Sequence, residues 1–428
     1  MTLPGLYTGP GLGWVDAVFT ATSAVCVTGL IVVDTATYFT RWGQAFLLLL
    51  IQLGGLGILT FTTLLILALG RRLSLHQEAV TAAHRDVAPD VDFRHLARNV
   101  VVFTLVFEAA GTVLLFLVLL NRYGVAEAAW HGLFQAISAF CNAGFSTFSD
   151  SLMGFQRNPL VQIVIMTLIV TGGIGFLALE ELNLLRHRRR QGRPMILSLH
   201  TRMVLLVTLV LLVAGWLAYT GLEWTNALDS LPVWAKVSNG LFMSVTARTA
   251  GFNTVDYAAT ADSTNYLTIL LMSIGGSPGS TAGGVKTTTF ALVGLLAASR
   301  ILGRQVTSVQ SRSIPEETIQ RAVGLVVVAF GMVTVATLLY SLLEIGSAGH
   351  DDAPGAFIEH MFEAVSAFNT VGLSMGVTGE LSTPSRLLTI ALMYVGRVGP
   401  LTFAAAIALA RPTAVGEFRF AYEDVIVG

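Results

Sequence analysis

The sequence predicts an all-α, polytopic membrane protein in which four membrane–pore loop–membrane repeats surround a pseudo-fourfold pore. The first observation behind this fold class is composition. Of the 428 residues, 54% are hydrophobic and 12% are charged, whereas soluble domains carry roughly 25% charged residues. The second is a series of long apolar runs, most of them near the ~20 residues that a helix needs to cross a bilayer. The third is a short pattern with a glycine next to its end that occurs four times, as expected of internal repeats.

The four copies of the glycine pattern lie in matching surroundings. They read SAVCVTGL, SAFCNAGF, VTARTAGF and VSAFNTVGL, at Ser23–Leu30, Ser138–Phe145, Val245–Phe252 and Val365–Leu373. A second glycine cluster follows each copy by 24 to 28 residues, at Gly54–Gly55, Gly172–Gly173, Gly275–Gly276 and Gly396. Because each copy stands between a short amphipathic stretch and a long apolar one, each predicts a loop between a short helix and a membrane helix.

Each repeat is predicted to contain an outer helix, a short pore helix, a loop and an inner helix. The repeats cover residues 1–70, 71–185, 186–303 and 304–428, the last with the C-terminal tail. Outer helices are predicted at Arg98–Leu120, Arg202–Thr220 and Thr318–Leu343, and pore helices at Asp16–Ala24, Trp130–Phe140, Val237–Thr246 and Phe357–Phe368. Inner helices are predicted at Pro159–Leu185, Asn265–Leu302 and Arg386–Ala410. Since no apolar helix precedes Asp16, we expect the first outer helix to be missing from this chain, with seven spans here and eight in a protein that starts further upstream.

The distribution of basic residues predicts the orientation in the membrane. Of the 25 lysines and arginines, 17 lie in the connections after the inner helices and in the tail, and six lie in the opposite connections. This bias places the inter-repeat connections in the cytoplasm, so the glycine loops enter from outside a plasma (inner) membrane. The basic run Arg186–Arg193 is interpreted mainly as an orientation signal, and a lipid site there stays open. The net charge of the whole chain is only −1. We expect the chain to contact the lipid bilayer, and we do not expect it to bind nucleic acid.

The glycine loops are predicted to form the selectivity filter of an ion pore. Non-helical backbone at membrane depth must be buried in protein or line water, and helix C-termini that point at a cavity favour a cation. Glycine permits positive φ, so carbonyls can point inward and replace the water of a dehydrated cation. The predicted coordinating backbone is Cys26, Val27, Thr28 and Gly29; Cys141, Asn142, Ala143 and Gly144; Arg248, Thr249, Ala250 and Gly251; and Asn369, Thr370, Val371 and Gly372.

A glycine-rich stretch interrupts the third inner helix and is predicted to gate the pore. The stretch consists of Gly275, Gly276, Ser277, Pro278, Gly279, Ser280, Thr281, Ala282, Gly283 and Gly284, followed by Val285 and Lys286. Five glycines and a proline cannot hold a regular helix, so within a membrane this stretch must line a cavity or pack in protein. A phosphate-binding loop is disfavoured, because Val285 separates Gly284 from Lys286 and no strand precedes the stretch.

Charged residues within the apolar segments are predicted to face the protein interior. Arg397, together with Lys286, is expected to form an electrostatic barrier in the pore, and a buried structural ion pair remains the alternative. Glu363 is expected to pair with Arg248 behind the filter. The remaining buried-acid candidates are Glu108, Glu180 and Glu181.

Catalytic and metal-binding patterns are missing from the sequence. Cys26 and Cys141 occupy equivalent loop positions and are interpreted as neither a disulfide nor a metal pair, and His131 as an interface residue. No Ser/His/Asp, Cys/His or zinc-spaced set was found. The chain is therefore not expected to be an enzyme, and it is expected to bind no cofactor of its own.

These stretches resemble the Trk/Ktr/HKT superfamily of potassium transporters, most closely its Ktr-type membrane subunit. The resemblance spans nearly the whole chain and is carried by DAVFTATSAVCVTGLIVVDT (Asp16–Thr35), IQLGGLGILTF (Ile51–Phe61), SAFCNAGFS, TARTAGFN, GGSPGSTAGGVKTTT, SAFNTVGLS and GRVGPLT. It implies a single K⁺ path along the pseudo-fourfold axis and a homodimer. It also implies a cytoplasmic ring of nucleotide-binding regulatory subunits of RCK type.

The resemblance also implies roles for individual residues. Gly29, Gly144, Gly251 and Gly372 are implied to be the filter glycines, Gly275–Lys286 the gate loop, and Arg397 the guard beneath the filter. Relatives with serine at the first filter glycine tend towards Na⁺, so Gly29 implies K⁺ as the substrate, with Na⁺ as a candidate activator.

Two other functions remain open on the sequence. An ion-coupled secondary transporter with a midplane site at broken helices would explain the interrupted helix, although not four loops. A membrane scaffold or sensor would keep the filter without transport.

Overall fold

The computed structural model describes residues 5–9, 11–57, 93–192, 195–309, 312–346 and 353–399, and within these ranges the chain is mostly helical. The helices are α1 (Trp14–Val25), α2 (Thr35–Tyr38), α3 (Arg41–Leu56), α4 (Phe93–Leu119), α5 (Val125–Phe140), α6 (Pro159–Ile174), α7 (Phe176–Arg190), α8 (Leu199–Glu223), α9 (Val233–Thr246), α10 (Asp262–Met272), α11 (Thr287–Ile301), α12 (Glu316–Tyr340), α13 (Ala356–Phe368) and α14 (Thr383–Val398). A two-stranded antiparallel sheet pairs β1 (Ser308–Val309) with β2 (Arg312–Ser313). Single turns lie at Met153–Phe155, Tyr257–Ala259, Ser341–Ile345 and Val377–Gly379.

Helix starts follow from local side-chain chemistry. Thr40 caps α3 by accepting a hydrogen bond from the Gly43 amide at 3.2 Å, and Ser198 caps α8 through the Thr201 amide at 3.2 Å. Asn158 caps α6, whose first residue is Pro159. These side chains satisfy amides that have no partner within the helix.

Helix packing divides the described residues into four consecutive units. We define unit one as α1–α3, unit two as α4–α7, unit three as α8–α11 and unit four as α12–α14. The long first helix of units two, three and four packs on the short helix that follows it: α4 on α5, α8 on α9 and α12 on α13. The next membrane helix of each unit also contacts the short helix of the following unit: α3 on α5, α6 on α9, α10 on α13 and α14 on α1. The last contact joins the last described helix to the first, so the units form a closed ring.

The long helices α4, α8 and α12 present apolar side chains outward. Only 22–28% of their most apolar stretches is buried, and side chains such as Leu105, Leu209 and Phe330 are more than half exposed. Contiguous apolar surface of this extent is unfavourable in water and suits contact with lipid chains. Among the described residues, three helices are long and apolar enough to cross a membrane, at Arg98–Leu119, Leu199–Glu223 and Glu316–Ile345, and the candidates number four if α6 and α7 count as one span.

The observed bounds differ from the predicted ones at the inner helices. The predicted continuous helix Pro159–Leu185 is wrong, because the chain bends by 99° between α6 and α7 at Gly175, which has φ of +98°. Helix α3 likewise ends before Gly57 (φ +79°) and α14 before Gly399 (φ +96°). A left-handed glycine cannot continue an α-helix. The predicted continuations 58–70 and 400–410 lie outside the described residues, and the seven-span topology stays a prediction.

The short helices begin earlier than the sequence indicates. Helix α5 starts five residues before the predicted Trp130, and α9 starts four residues before the predicted Val237. Both helices open with exposed residues, at positions 125–127 in α5 and 233–234 in α9, so the apolar periodicity of the buried face did not mark these starts. Helix α7 continues through the predicted boundary between repeats two and three at residue 185.

Candidate functional site

Four loops follow the C-termini of the four short helices, and we call them the glycine loops: residues 26–29, 141–144, 248–251 and 369–372. Each contains a residue with positive φ two positions before its glycine: Val27 (56°), Asn142 (59°), Thr249 (69°) and Thr370 (51°). The glycines also have positive φ: Gly29 (97°), Gly144 (70°), Gly251 (79°) and Gly372 (91°). The residue between them is not left-handed.

The four glycine loops meet in a closed ring. The carbonyl oxygen of the residue before each glycine lies beside the glycine of a neighbouring loop, and a Cβ atom added to that glycine would collide with the oxygen or the backbone next to it. The glycine and carbonyl partners are Gly29 with Ala143, Gly144 with Ala250, Gly251 with Val371 and Gly372 with Thr28. In the first three pairs the added Cβ atom would lie 2.5, 3.0 and 2.6 Å, respectively, from the carbonyl oxygen. The series returns to the first loop. Both the backbone conformation and the lack of space therefore require glycine at these positions.

A hydroxyl group near the end of each short helix fixes the chain at, or just beyond, the glycine of its loop. The Ser23 and Ser138 hydroxyls donate to the Leu30 and Phe145 carbonyls at 2.7 Å. The Thr246 hydroxyl donates to the Phe252 carbonyl at 2.5 Å. In unit four the Ser366 hydroxyl accepts from the Gly372 amide at 3.1 Å, as Ser23 does from Gly29. Sequence reasoning missed these residues, although a hydroxyl five or six positions before each glycine was visible in the four copies.

The third loop differs from the other three by one residue. Helices α1, α5 and α13 end four residues before the loop glycine, whereas α9 ends five residues before Gly251. The Arg248 guanidinium, buried in this longer connection, donates to the Gly275 carbonyl at 3.5 Å. The predicted pairing of Arg248 with Glu363 is wrong for the described structure, because the Glu363 carboxylate accepts from the Thr378 hydroxyl instead. Arg248 and Glu363 lie in the third and fourth units, and each bonds a residue of its own unit, Gly275 and Thr378 respectively.

The glycine loops are buried and contain spare oxygen atoms. All of their residues are buried except Gly144 and Gly372, which are half-buried. The hydroxyl groups of Thr28, Thr249 and Thr370 have no hydrogen-bond partner among the described residues. Unpartnered buried oxygens are costly, so an oxygen-lined site of this kind suits a ligand that accepts electron density, such as a metal cation.

The second glycine cluster lets each inner helix approach the end of a short helix. A Cβ atom added to Gly54, Gly172 or Gly396 would collide with the last carbonyl of α1, α5 or α13, those of Val25, Phe140 and Phe368 respectively. Unit three departs from this pattern, because Gly275 instead meets the carbonyl of Gly283 within the glycine-rich stretch. In unit three this glycine cluster therefore packs within the glycine-rich stretch and not against the end of a short helix.

The glycine-rich stretch, hereafter the interrupting segment (residues 275–286), is closed at its base. The Gly275 amide donates to the Val285 carbonyl at 2.8 Å, and the Thr287 amide donates to the Gly276 carbonyl at 3.1 Å. These bonds hold the two ends of the segment together between α10 and α11. The segment is therefore a folded loop that projects from a broken helix, with its first and last backbone groups paired.

The interrupting segment is bonded to unit two at the bend between α6 and α7. The Ser277 amide donates to the Gly173 carbonyl at 3.0 Å, and the Phe176 amide donates to the Gly279 carbonyl at 3.0 Å. A third bond runs from the Thr281 amide to unit two at 3.3 Å, with the Gly172 carbonyl as acceptor. Breaking the second inner helix at Gly175 frees these backbone groups to pair with the segment.

The other side of the interrupting segment contacts unit four. The Gly284 amide donates to the Gly396 carbonyl at 3.3 Å, and the Val285 amide donates to the Asn369 Oδ1 at 3.4 Å. A Cβ atom on Gly283 would collide with the Thr370 hydroxyl. Since Asn369 and Thr370 belong to the fourth glycine loop, the segment packs directly against the ring.

Arg397 joins three units beneath the ring. Its guanidinium donates to the Thr281 carbonyl of the interrupting segment and to the Gly54 carbonyl of α3. Both acceptors are backbone carbonyls, and among the described residues Arg397 has no carboxylate within ion-pair distance, so the alternative of a buried ion pair is not what the structure contains. Lys286 donates to the Ala282 carbonyl at 2.6 Å and stays within the segment.

The remaining predicted residues have local roles. Cys26 and Cys141 are free, buried thiols that follow the last residues of α1 and α5. Glu108 accepts hydrogen bonds from Gln52 at 3.2 Å and from the Cys141 thiol at 3.6 Å. The His131 imidazole bonds the Thr147 hydroxyl at 2.7 Å. Within the described part of the chain, no group of three His, Cys, Asp or Glu side chains is arranged to hold a metal ion.

This architecture defines the class of protein. It is a helical membrane protein in which four carbonyl-bearing loops form a ring and a segment from a broken helix lies against that ring. The chain belongs to the TrkH family of cation transport proteins, whose family model matches residues 1–415. The resemblance to Trk/Ktr transporters that the motifs indicated is thereby confirmed.

Individual relatives cover most of the chain. It is 37% identical over 430 residues to the Ktr system potassium uptake protein B of Vibrio alginolyticus, covering all of this chain and 91% of that protein. It is 38% identical to the Bacillus subtilis protein of the same name, over 92% of this chain and 85% of that one. The potassium/sodium uptake protein NtpJ of Enterococcus hirae is 33% identical over all of this chain and 93% of its own length. The crystal structure of the potassium transporter TrkH from Vibrio parahaemolyticus shares the fold, with a TM-score of 0.70 at 18% identity, covering 94% of this chain and 80% of that one.

Proposed function

We propose that this chain is the pore-forming subunit of a potassium uptake system and that the ring of glycine loops is its selectivity filter. The observation that carries the proposal is the closed series of contacts in which the carbonyl before each glycine faces the glycine of a neighbouring loop. Four loops at equivalent positions provide oxygen atoms around one axis, which is the arrangement that replaces the hydration shell of K⁺. Relatives over nearly the whole chain are named for potassium uptake, which supports K⁺ as the cation.

The chemistry of the loops also supports a cation of low charge density. Their possible ligands are backbone carbonyls and threonine hydroxyls, and the side chains at equivalent positions differ between units. Neutral oxygens suit K⁺, whereas divalent ions are usually held by carboxylates. The family resemblance associates serine at the first filter glycine with a tendency towards Na⁺, so glycine at position 29 supports K⁺. One relative is named for potassium and sodium uptake, so we retain Na⁺ as an activator within the proposal.

We further propose that the interrupting segment and Arg397 together form the gate. The segment contacts units two and four, and Arg397 ties it to unit one. A positive charge and a loop beneath the filter would hinder a cation from leaving towards the cytoplasm. Opening then requires that the bonds from Arg397 to Thr281 and Gly54 exchange for other partners.

The alternative, an ion-coupled secondary transporter with a midplane site, explains the break between α10 and α11 but gives no reason for a closed ring of four loops.

The remaining elements of the proposal come from the family. They are a plasma-membrane location, a homodimer, and regulation by nucleotide-binding subunits of RCK type at the cytoplasmic face.

Growth and ion flux of a matched pair of variants test the filter. In cells that lack K⁺ uptake, the chain should restore growth at limiting K⁺, and Gly29→Asp should abolish it because the side chain enters the ring. The control is Gly376→Asp, since Gly376 has a similar φ of +99° but no atom within 4 Å of an added Cβ. Equal loss in both variants at equal membrane levels would assign the effect to backbone strain and contradict the filter. If the unsubstituted chain fails to restore growth, co-expression with an RCK-type subunit separates a missing regulator from a wrong function.

Two changes test the gate by K⁺ flux in vesicles. Replacing residues 275–284 with a short flexible linker should raise flux, because the obstruction is removed. Arg397→Gln should raise flux, whereas Arg397→Lys should raise it less, because lysine keeps the charge but cannot bond two carbonyls in the same geometry. Unchanged or lower flux in a linker variant that retains its thermal stability would reject the gate, and identical flux in the two Arg397 variants would reject the electrostatic part.

A further inference from the structure

Helix α7 runs across the end of the bundle rather than along it. It leaves α6 at an angle of 99°, and two carboxylates on its buried face fix it to the starts of α4 and α8. Glu180 accepts from the Asn99 amide at 3.2 Å, and Glu181 accepts from the Ser198 backbone amide at 3.1 Å. Both contacts lie at helix ends that the bias in basic residues assigns to the cytoplasm. Since α6 is an apolar membrane helix, α7 lies close to the plane of the inner membrane surface.

The outward face of α7 combines leucines and arginines on one stripe. Leu182, Leu185, Arg186, Arg189 and Arg190 follow helical spacing and line an open depression of about 390 Å³. The three arginines are exposed and the two leucines half-buried. None of these three arginines has a side-chain ion pair or hydrogen bond within the described residues. We call this stripe the α7 basic face.

We propose that the α7 basic face binds the phosphate headgroup of an anionic phospholipid. Guanidinium groups bind phosphate oxygens in a bidentate manner, and the inner leaflet concentrates negative headgroups. A helix in the membrane plane with an apolar and a basic part is the common form of an interfacial helix. Leu182 and Leu185 precede the arginines on the stripe, on the side nearer the apolar helix α6, where they can contact acyl chains. That continuity favours a lipid over an acidic protein segment.

The first residue of α7 connects this face to the interrupting segment. The Phe176 amide donates to the Gly279 carbonyl at 3.0 Å. A Cβ atom on Gly175 would lie 2.7 Å from the Pro278 carbonyl oxygen, so the bend and the segment are in direct contact. At 1.5 Å per residue, Arg190 lies about 20 Å along α7 from this contact. Binding of lipid at the arginines therefore acts on a rigid helix whose other end holds the proposed gate. This coupling rests on the proposed function, whereas the lipid site does not.

Native mass spectrometry of the purified chain tests the site without any transport. The chain is titrated with phosphatidylglycerol, and with phosphatidylcholine as the zwitterionic reference. We expect preferential retention of phosphatidylglycerol, reduced about fivefold per arginine removed in Arg186→Gln/Arg189→Gln/Arg190→Gln. The triple Arg→Lys variant should keep most of it, and Arg304→Gln/Arg312→Gln, two exposed arginines off this face, should keep all of it. Equal retention of both lipids, equal retention by the triple Gln variant, or displacement by inorganic phosphate would overturn the lipid site.

Flux in proteoliposomes tests the coupling. For each variant the readout is the ratio of K⁺ flux in vesicles containing phosphatidylglycerol to flux in phosphatidylcholine alone. We expect a ratio above one for the unsubstituted chain and close to one for the triple Gln variant. A ratio that is the same in both overturns the coupling. If the unsubstituted chain carries no flux in either lipid, the proposed function fails, and the binding measurement still decides the lipid site.

Discussion

At the residue scale, glycine in the inner helices is a packing requirement. Gly54, Gly172 and Gly396 adopt ordinary helical backbone, yet each faces the terminal carbonyl of a short helix. A side chain there would push the inner helix away from the loop that it supports. Close helix contact through small residues is the usual means of association within membranes, where apolar side chains gain nothing over lipid.

Alanine substitution at two helical glycines should separate the effect of close helix contact from the effect of helix propensity. Gly396→Ala should lower the thermal unfolding temperature, because overpacking costs typically about 1–3 kcal/mol. Gly294→Ala in α11 should leave it unchanged or raise it, since nothing lies within 4 Å of an added Cβ and alanine is the better helix former. Intrinsic fluorescence of the purified variants on heating gives both values. Equal shifts would show that the contact of Gly396 with Phe368 has no energetic weight.

At the element scale, each glycine loop is held at two points by its short helix. The helix C-terminus leads towards the left-handed residue, and a hydroxyl within the last three residues of the helix bonds the chain at or just beyond the glycine. The loop between these points has little freedom, because its ends are fixed to the same rigid element. A filter that must distinguish ions of similar size benefits from such fixed carbonyl positions.

Thr246→Val should loosen the third loop. The change keeps the shape of the side chain but leaves the buried Phe252 carbonyl without its donor, a cost of about 1–3 kcal/mol. We expect lower thermal stability and weaker preference for K⁺ over Na⁺, measured as inhibition of rubidium uptake by Na⁺. Thr246→Ser retains the hydroxyl and serves as the control. If valine and serine behave alike in both measurements, the hydroxyl bond does not fix the loop.

At the scale of the whole molecule, the ring closes by contact between the first and last described helices. Asp16 on α1 and Arg386 on α14 form an ion pair at 2.6 Å, although 370 residues separate them in the chain. Their side chains are 25% and 21% exposed, whereas those of the Glu317–Arg321 pair on the outside of α12 are 73% and 72% exposed. A partly buried ion pair between distant segments stabilises the contact between those segments, whereas an exposed pair within one helix contributes little to the stability of the fold.

Charge exchange across the closure should be compensatory. Asp16→Arg and Arg386→Asp should each lower the unfolding temperature, and the double exchange should recover part of the loss, with a coupling of about 1 kcal/mol. The same exchange at Glu317 and Arg321 should show a coupling near zero. A coupling at the closure no larger than that at the exposed pair would mean that α1 and α14 are held together by apolar packing alone.

Local sequence features predicted the parts of the site that depend on local chemistry. Apolar runs and the scarcity of charge predicted a helical membrane protein, and the four glycine copies predicted loops whose backbone must adopt positive φ. The glycines and proline of residues 275–284 predicted the break between α10 and α11. These features can be predicted from sequence because they depend on local residue types. Glycine alone permits certain backbone conformations, and a bilayer requires apolar side chains and paired backbone groups.

Which distant groups meet depends on how helices far apart in the chain pack together. Arg397 bonds the carbonyls of Thr281 and Gly54 and has no acidic partner within the described residues, and Glu363 bonds Thr378 rather than Arg248. The bend at Gly175 gives backbone groups of α6 and α7 to the interrupting segment, which a continuous helix could not have done. Periodicity gives the face of a helix but not the neighbour that will cover it. The loops and their glycines thus follow from residues that are neighbours in the chain, and the packing of helices far apart in the chain determines how the loops close into a ring.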